Sequence, residues 1–263
     1  MDSEQPIGFF DSGVGGTSIW KEVVDLLPNE STVYLADSKN APYGGKTTKE
    51  IVQLSIKNTE LLLQLGAKLI VVACNTATTN AIAYLRANYN VSFIGIEPAI
   101  KPAALHSKTG KIGVLATKGT LSSSLFSATS QQYAHNLEVI ETIGEGLVPL
   151  IEQGKIRDNQ TKILLKNYID PMIDAGVDSI VLGCSHYPYL IPLLNNIVPS
   201  SITIIDSGEA VARQTQAILE KHSIMNGGIN KSSHTFYGNT QLTVLKSLIG
   251  TTKSNYFYKF LDF

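Results

Sequence analysis

Short apolar runs alternate along the chain with longer amphipathic stretches, and each run stops at a carboxylate or a thiol. Ile7–Phe10 halts at Asp11, Thr32–Ala36 at Asp37, Lys68–Ala73 at Cys74 and Phe93–Ile96 at Glu97. Runs this short, rich in Val and Ile and without alternation, predict parallel strands buried on both faces. Helical patterns fill the intervals. Thr17–Leu27 carries apolar residues at Ile19, Trp20, Val23, Leu26 and Leu27 before Pro28 ends it, which puts Trp20 in the core. Thr47-Thr48-Lys49-Glu50 is a capping-box pattern, in which two side chains satisfy two free backbone N–H groups reciprocally. Ile51, Leu54, Leu61 and Leu65 share the face that follows, and Gly66 supplies a stop. Strand–helix–strand alternation of this kind predicts an α/β fold with right-handed crossovers.

The pattern then recurs. Ile112–Ala116 matches Ile7–Phe10, Ser179–Gly183 before Cys184 matches the run before Cys74, and Ile202–Ile205 before Asp206 matches Phe93–Ile96 before Glu97. The offsets from Ile7 to Ile112, Cys74 to Cys184 and Phe93 to Ile202 are 105, 110 and 109 residues. Such near-equal spacing predicts two similar α/β halves, and the matched cysteines strengthen it. The segment 223–233, rich in Gly, Ser and Asn, reads as a surface loop, and Thr240–Ile249 as a short last helix.

Composition narrows the class. The chain has 263 residues, 43% hydrophobic and 16% charged, which excludes a disordered or coiled-coil chain. Its formal charge of −1 asks for no nucleic acid and no acidic membrane surface. Two cysteines exclude a disulfide scaffold and point to free thiols in a reducing cytoplasm. No apolar stretch reaches the roughly 18 residues of a membrane helix, and the start MDSEQP lacks the basic, apolar character of a signal peptide.

Chemistry concentrates where the strands stop. In open α/β sheets ligands bind at the carboxyl ends of the strands, so both thiols are expected at ligand-binding edges, where a nearby helix N-terminus would favour the thiolate. Asp11-Ser12-Gly13-Val14-Gly15-Gly16 opens a helix with a Gly-rich turn, but it is neither a P-loop nor a Rossmann fingerprint. Its backbone N–H groups suit a carboxylate better than a nucleotide. Asp11 itself could orient a group, protonate one or merely cap the helix. Ala41-Pro42-Tyr43-Gly44-Gly45 presents backbone groups and a phenol. Thr117 and Thr120 could bind a ligand or cap a helix, and Glu152 in an amphipathic helix reads as solvated. His186, two residues after Cys184, could serve as acid, base or ligand. His106, His135, His222 and His234 have no motif around them and read as surface residues. Cys74, Cys184 and His186 could supply three zinc ligands, but no C-x-x-C or H-x-x-x-H pair nucleates a site.

Taken together, IGFFDSGVGG (7–16), YLADSKNAPYGG (34–45), VVACNTATTNA (71–81), IGIEPAIKPA (94–103), IGVLATKGT (112–120), VPLIEQG (148–154) and VLGCSHYP (181–188) form a set. It resembles the glutamate racemases of the cofactor-independent aspartate/glutamate racemase superfamily. The resemblance runs from about Ile7 to Gln214. It implies two similar α/β domains of mainly parallel sheets flanked by helices, related by a pseudo-two-fold with the active site in the cleft between them. By that likeness residues 1–97 plus 208–263 form the first domain and 98–207 the second. It further implies interconversion of L- and D-glutamate without pyridoxal phosphate or metal, supplying D-glutamate for peptidoglycan, in a cytoplasmic homodimer.

The two thiols that serve opposite faces of the substrate Cα map onto Cys74 and Cys184. Asp11, His186 and Glu152 map onto assisting acids and bases. Substrate contacts map onto Asp11, Ser12, Tyr43, Gly44, Asn75, Thr76, Ser185 and His186, with Thr117 and Thr120 as a further binding loop. The chain departs from the family at Ser185, where Thr is usual, and at Gly144-Glu145-Gly146, where Ala-Cys-Pro is frequent. The rivals are an aspartate or hydantoin racemase, a cysteine hydrolase with Cys74 as nucleophile and His186 as base, and a non-catalytic amino-acid-binding protein.

Overall fold

The computed structural model describes residues 3–228, 231–251 and 253–263. The first half runs β1 (Ile7–Asp11), α1 (Thr17–Leu26), β2 (Thr32–Ala36), α2 (Thr48–Gln64), β3 (Leu69–Val72), α3 (Asn75–Asn88) and β4 (Ser92–Gly95). The second runs α4 (Ile100–His106), β5 (Lys111–Ala116), α5 (Lys118–Leu121), α6 (Ser124–Ala134), β6 (Glu138–Ile143), α7 (Leu147–Glu152), α8 (Asn159–Asp174), β7 (Ser179–Gly183), α9 (Ile191–Leu194) and β8 (Thr203–Ile205). Then follow α10 (Gly208–Lys221), β9 (His234–Gly238), α11 (Thr243–Ile249) and β10 (Tyr256–Phe260).

The repeat read from the sequence is a repeat of topology. One sheet has the order β10-β9-β2-β1-β3-β4 and the other β6-β5-β7-β8, so β2-β1-β3-β4 and β6-β5-β7-β8 are the same arrangement used twice. Every pairing in both sheets is parallel. The central strands β1, β3 and β7 are buried along their whole length, as continuous apolar runs require. Each half also thins its first strand at the same place. A Cβ on Gly8 would lie 2.9 Å from the Ala67 Cβ, and one on Gly113 would lie 2.7 Å from the Met172 sulfur. The missing side chain lets the covering layer settle onto the sheet.

Local signals behave as their chemistry demands. Thr47 and Glu50 close the capping box at the start of α2, and Gly66 takes a φ of +82° directly beyond its end. Trp20 is buried and stands edge-on to Phe236 and Tyr256. The last helix falls at Thr243–Ile249, inside the expected Thr240–Ile249. In the expected 223–233 loop, residues 229 and 230 lie outside the described residues.

Three strands carry no strand signal of the expected kind. β6 is an edge strand, EVIETI, that is nowhere fully buried. β9 and β10 extend the first sheet from the far end of the chain, and they correct the reading of His234 as a surface residue. That side chain is 2% exposed, with Nδ1 2.9 Å from the Thr32 hydroxyl. His106, His135 and His222 are exposed as read. The chain passes between the sheets after β4 and again after β8, and the two crossings touch: the Ser207 hydroxyl donates to the Glu97 carbonyl at 2.5 Å. One apolar cluster continues beneath both sheets, from Ile7 and Phe9 to Ile180 and Leu182.

Candidate active site

The carboxyl ends of β1, β3, β5 and β7 converge, and they bring Asp11, Cys74, Thr117 and Cys184 to one place. Both cysteines are reduced and buried, 4% and 6% exposed. The sulfurs are near enough that negative charge on Cys184 raises the Cys74 pKa.

Cys74 is the N-cap of α3, and its Sγ accepts the Ala77 N–H at 3.4 Å. The expected helix N-terminus is therefore present, but it does not decide the charge. Burial, with the Asp11 carboxylate behind it, pushes the Cys74 thiol well above its ordinary value despite hydrogen bonds from Ala77 and Ser12. Cys184 has no α-helix start beside it. A tight turn follows instead and folds His186 back, with Nδ1 3.8 Å from the Cys184 sulfur. The other ring nitrogen, Nε2, lies 2.6 Å from Glu152 Oε1. Burial alone would lower the His186 pKa. The hydrogen bonds to Cys184 and Glu152 and the charge of Asp11 outweigh it and hold the ring well above its ordinary value. The same pairing keeps Glu152 below the usual carboxylate range against its own burial. Cys184, His186 and Glu152 thus form a line of thiol, imidazole and carboxylate. The hydrolase reading paired His186 with Cys74, but the ring is committed to Cys184.

The Gly-rich turn does bind carboxylates, and they are the protein's own. Asp11 Oδ2 accepts the N–H groups of Gly13 and Gly16 at 3.1 and 3.0 Å, while Oδ1 accepts the Ser185 hydroxyl. Glu152 Oε1 accepts the Val14 N–H at 2.7 Å, and Oε2 accepts the Ser38 hydroxyl at 2.8 Å. Burial and the neighbouring Glu152 raise the Asp11 pKa, with His186 and these hydrogen bonds pulling it back. Glu152, which reads as solvated in sequence, is 14% exposed and central to the site. The glycines are spacers for it: a Cβ on Gly13 would lie 2.0 Å from the Glu152 carboxylate, and one on Gly15 2.2 Å from His186 Nδ1.

Opposite these groups stand hydroxyls and one amide. Thr76 Oγ1 lies 2.8 Å from Thr117 Oγ1 and 3.3 Å from Thr120 Oγ1, so the loop after β3 meets the loop after β5. Thr117 also caps α5, so ligand contact and capping are both open to it. Asn75 is 1% exposed, yet neither its amide nitrogen nor its amide oxygen has a partner. A buried amide left empty costs free energy, which a ligand carboxylate or ammonium would recover. Tyr43 corrects the expectation of a presented phenol. Its hydroxyl is turned inward, donating to Asp37 Oδ2 at 2.6 Å, so the Pro-Tyr-Gly turn offers backbone to the site. Gly44 closes against Thr117, where a Cβ would lie 2.7 Å from the threonine Cβ. A cavity of about 580 Å³ lies on the Gly44–Thr117 side, bounded by Pro42 and Gly44 on one side and Thr117, Gly144 and Val148 on the other. Among the described residues no three His, Cys, Asp or Glu side chains converge as metal ligands.

Residues 15–215 match the Asp/Glu/Hydantoin racemase family. The chain belongs to that family. It is an isomerase of the amino-acid racemase type. A glutamate racemase of Herpetosiphon aurantiacus is 45% identical over 230 residues, covering 88% of this chain and 91% of that protein. Among solved structures, a glutamate racemase isoform of Bacillus anthracis superposes with a TM-score of 0.86 at 28% identity, covering 99% and 98% of the two chains. The Escherichia coli glutamate racemase in complex with L-glutamate and the activator UDP-MurNAc-ala gives 0.85 at 29% identity, with 97% of each chain covered. A two-sheet racemase fold accounts for the placement of one thiol at the end of each central strand pair. Among the described residues no helix is long and apolar enough to cross a membrane.

Proposed function

We propose that this enzyme interconverts L- and D-glutamate by two-thiol proton transfer at Cα, without pyridoxal phosphate or metal. The observation that carries the reading is the pair of buried thiols at the ends of corresponding strands, with the unpartnered Asn75 amide next to Cys74 in the chain. Inversion by proton transfer needs a group on each face of the stereocentre. One thiolate takes the Cα proton, and the opposite thiol returns a proton from its S–H to the other face. The Cα proton is a very weak acid, so the carbanion must be stabilised by position and by hydrogen bonds to the substrate carboxylate.

Each thiol has a role suited to its surroundings. Protonated His186, backed by Glu152, sits 3.8 Å from the Cys184 sulfur, where it can pass a proton to or from that side. Cys74 is held as a thiol, ready to donate. After turnover the roles exchange. Asn75, Thr76, Thr117 and Thr120 are the donors for the substrate carboxylates, with Ser12 and the Tyr43–Gly44 backbone beside them, and Asp11, held by the Ser185 hydroxyl, lies where it can face the ammonium group. Glutamate is chosen over aspartate on the 45% identity to a glutamate racemase across most of the chain. We assign residues 1–97 with 208–263 to one domain and 98–207 to the other, and we propose a cytoplasmic homodimer whose D-glutamate serves peptidoglycan synthesis.

The line of Cys184, His186 and Glu152 also suits a thiol hydrolase, in which an acyl group would be held on Cys184. Purified protein with D-glutamate and separately with D-aspartate, with and without EDTA, distinguishes these readings by polarimetry. Racemisation of glutamate unaffected by EDTA supports the proposal. Preference for aspartate, or an acyl-enzyme without racemisation, replaces it.

A further inference from the structure

We propose that Tyr189 and Thr17 are positioning residues: a hydroxyl latch across the two halves that sets the contact between Cys184, His186 and Glu152. The inference rests on the racemase reading for its purpose, but its geometry stands alone. Thr17, in the first turn of α1, is fully buried and donates its hydroxyl proton to the Val14 carbonyl at 2.6 Å. Having spent that proton, Thr17 Oγ1 can only accept from the Tyr189 hydroxyl, 2.6 Å away. Tyr189 belongs to the same turn as His186, its N–H donating to the His186 carbonyl at 3.2 Å. A second strand of the latch runs alongside, from the Ser18 hydroxyl to the Ser185 carbonyl at 2.8 Å.

The path closes on itself. Tyr189 holds Thr17, Thr17 holds the Val14 carbonyl, and the Val14 N–H holds Glu152 Oε1, the oxygen that faces His186 Nε2. Val14 is thus pinned through both its backbone groups, and Gly15 next to it bears on the His186 ring with no room for a Cβ. Without the Tyr189 hydroxyl the Gly-rich turn loses one of its ties to the turn that carries His186, and the Ser18–Ser185 and Ser185–Asp11 contacts remain. The imidazole can then drift from the sulfur by a few tenths of an ångström, a distance to which proton transfer is sensitive.

Alkylation in a Cys74→Ser background tests this, because Cys184 is then the sole cysteine and no turnover is required. Tyr189→Phe should slow iodoacetamide alkylation of Cys184 at pH 7 roughly fivefold, the value of one lost hydrogen bond. Thr17→Val should do the same, and the double variant no more than either alone. In the otherwise native enzyme, Tyr189→Phe should lower kcat for glutamate several-fold with KM unchanged, whereas Tyr133→Phe, exposed on α6, should change neither. Unchanged alkylation in both variants overturns the latch, as do additive losses that track a fall in Tm. Latch-dependent alkylation in a protein that fails to racemise glutamate would count against the proposed function and leave the latch standing.

Discussion

Cys74 and Cys184 stand at the same place in two copies of one strand order, yet their surroundings differ in kind. Cys74 caps a helix and faces Asp11, so burial and a neighbouring negative charge keep it protonated. Cys184 has no helix cap and is served by an imidazole whose far nitrogen is fixed by a carboxylate. Duplication of the fold supplied two faces. The residues after each strand differ, Asn75-Thr76 in one half and Ser185-His186 in the other, and they give the two thiols different neighbours. In the proposed mechanism a near-symmetric scaffold runs a symmetric reaction with asymmetric groups.

Thermodynamics limits how that asymmetry can be seen. The two enantiomers have equal free energy, so kcat/KM is equal in the two directions for every variant. The difference between the halves must be sought in kcat, KM and isotope effects taken separately. Replacing His186 with Asn removes the imidazole from the Cys184 side alone. It should lower kcat/KM about 10²- to 10³-fold, as loss of an acid–base partner does. The Cα-deuterium isotope effect should grow for only the enantiomer whose Cα–H faces Cys184. Equal isotope effects for both enantiomers would erase the distinction between the halves.

The spacer glycines sharpen the comparison by geometry. Gly15→Ala places a Cβ 2.2 Å from His186 Nδ1, whereas a Cβ on Gly45 meets nothing within 4 Å. Displacing the ring by an ångström should cost about 10²-fold in kcat, and Gly45→Ala should be silent. Steady-state kinetics on the two variants decides it.

Asn75 has no counterpart amide in the other half, where Ser185 follows the cysteine. Asn75→Ala should reduce kcat/KM by about tenfold, the cost of a lost hydrogen bond to a charged group. It should also raise Tm, because it removes a buried amide that has no partner in the free enzyme. A lower Tm would mean that the amide is satisfied before substrate arrives.

The smallest effect concerns the strand pair that only the first sheet possesses. Burial, aided by Lys253, lowers the His234 pKa from 6.5 to about 4. The unfolded chain therefore binds the proton first as pH falls. Stability contributed by neutral His234 is complete above pH 6.5 and is lost progressively down to about pH 4. The fall in Tm between pH 7 and pH 4.5 should be shallower in His234→Gln, and an identical slope would sink this assignment.

Much of this was legible before the fold was known, for identifiable reasons. Strands buried on both faces must be continuous apolar runs, so β1, β2, β3 and β7 announce themselves, and Asp11, Cys74 and Cys184 at the ends of β1, β3 and β7 come together. The strands β6 and β10 at the sheet edges are nowhere fully buried and β9 alternates, so none is a continuous apolar run, and the pairing of β9 with β2 depends on a segment far away in sequence. Glu152 reads as a solvated helical residue because only the path through β6 returns α7 to the Gly-rich turn. Thr17 and Tyr189 carry no local signal at all, since their roles exist only across the contact between halves. Tyr43 lies in a recognisable turn, but Asp37 decides where its hydroxyl points.

Purified enzyme with D-glutamate in D₂O, without added cofactor, tests the two-thiol proposal most directly. Optical activity and the Cα proton signal are followed together for the native protein, Cys74→Ser and Cys184→Ser. Loss of optical activity with deuterium entering Cα, abolished by either substitution, is the predicted result. Racemisation that survives either substitution, or deuterium exchange without inversion in the native protein, would contradict a mechanism in which each thiol serves one face.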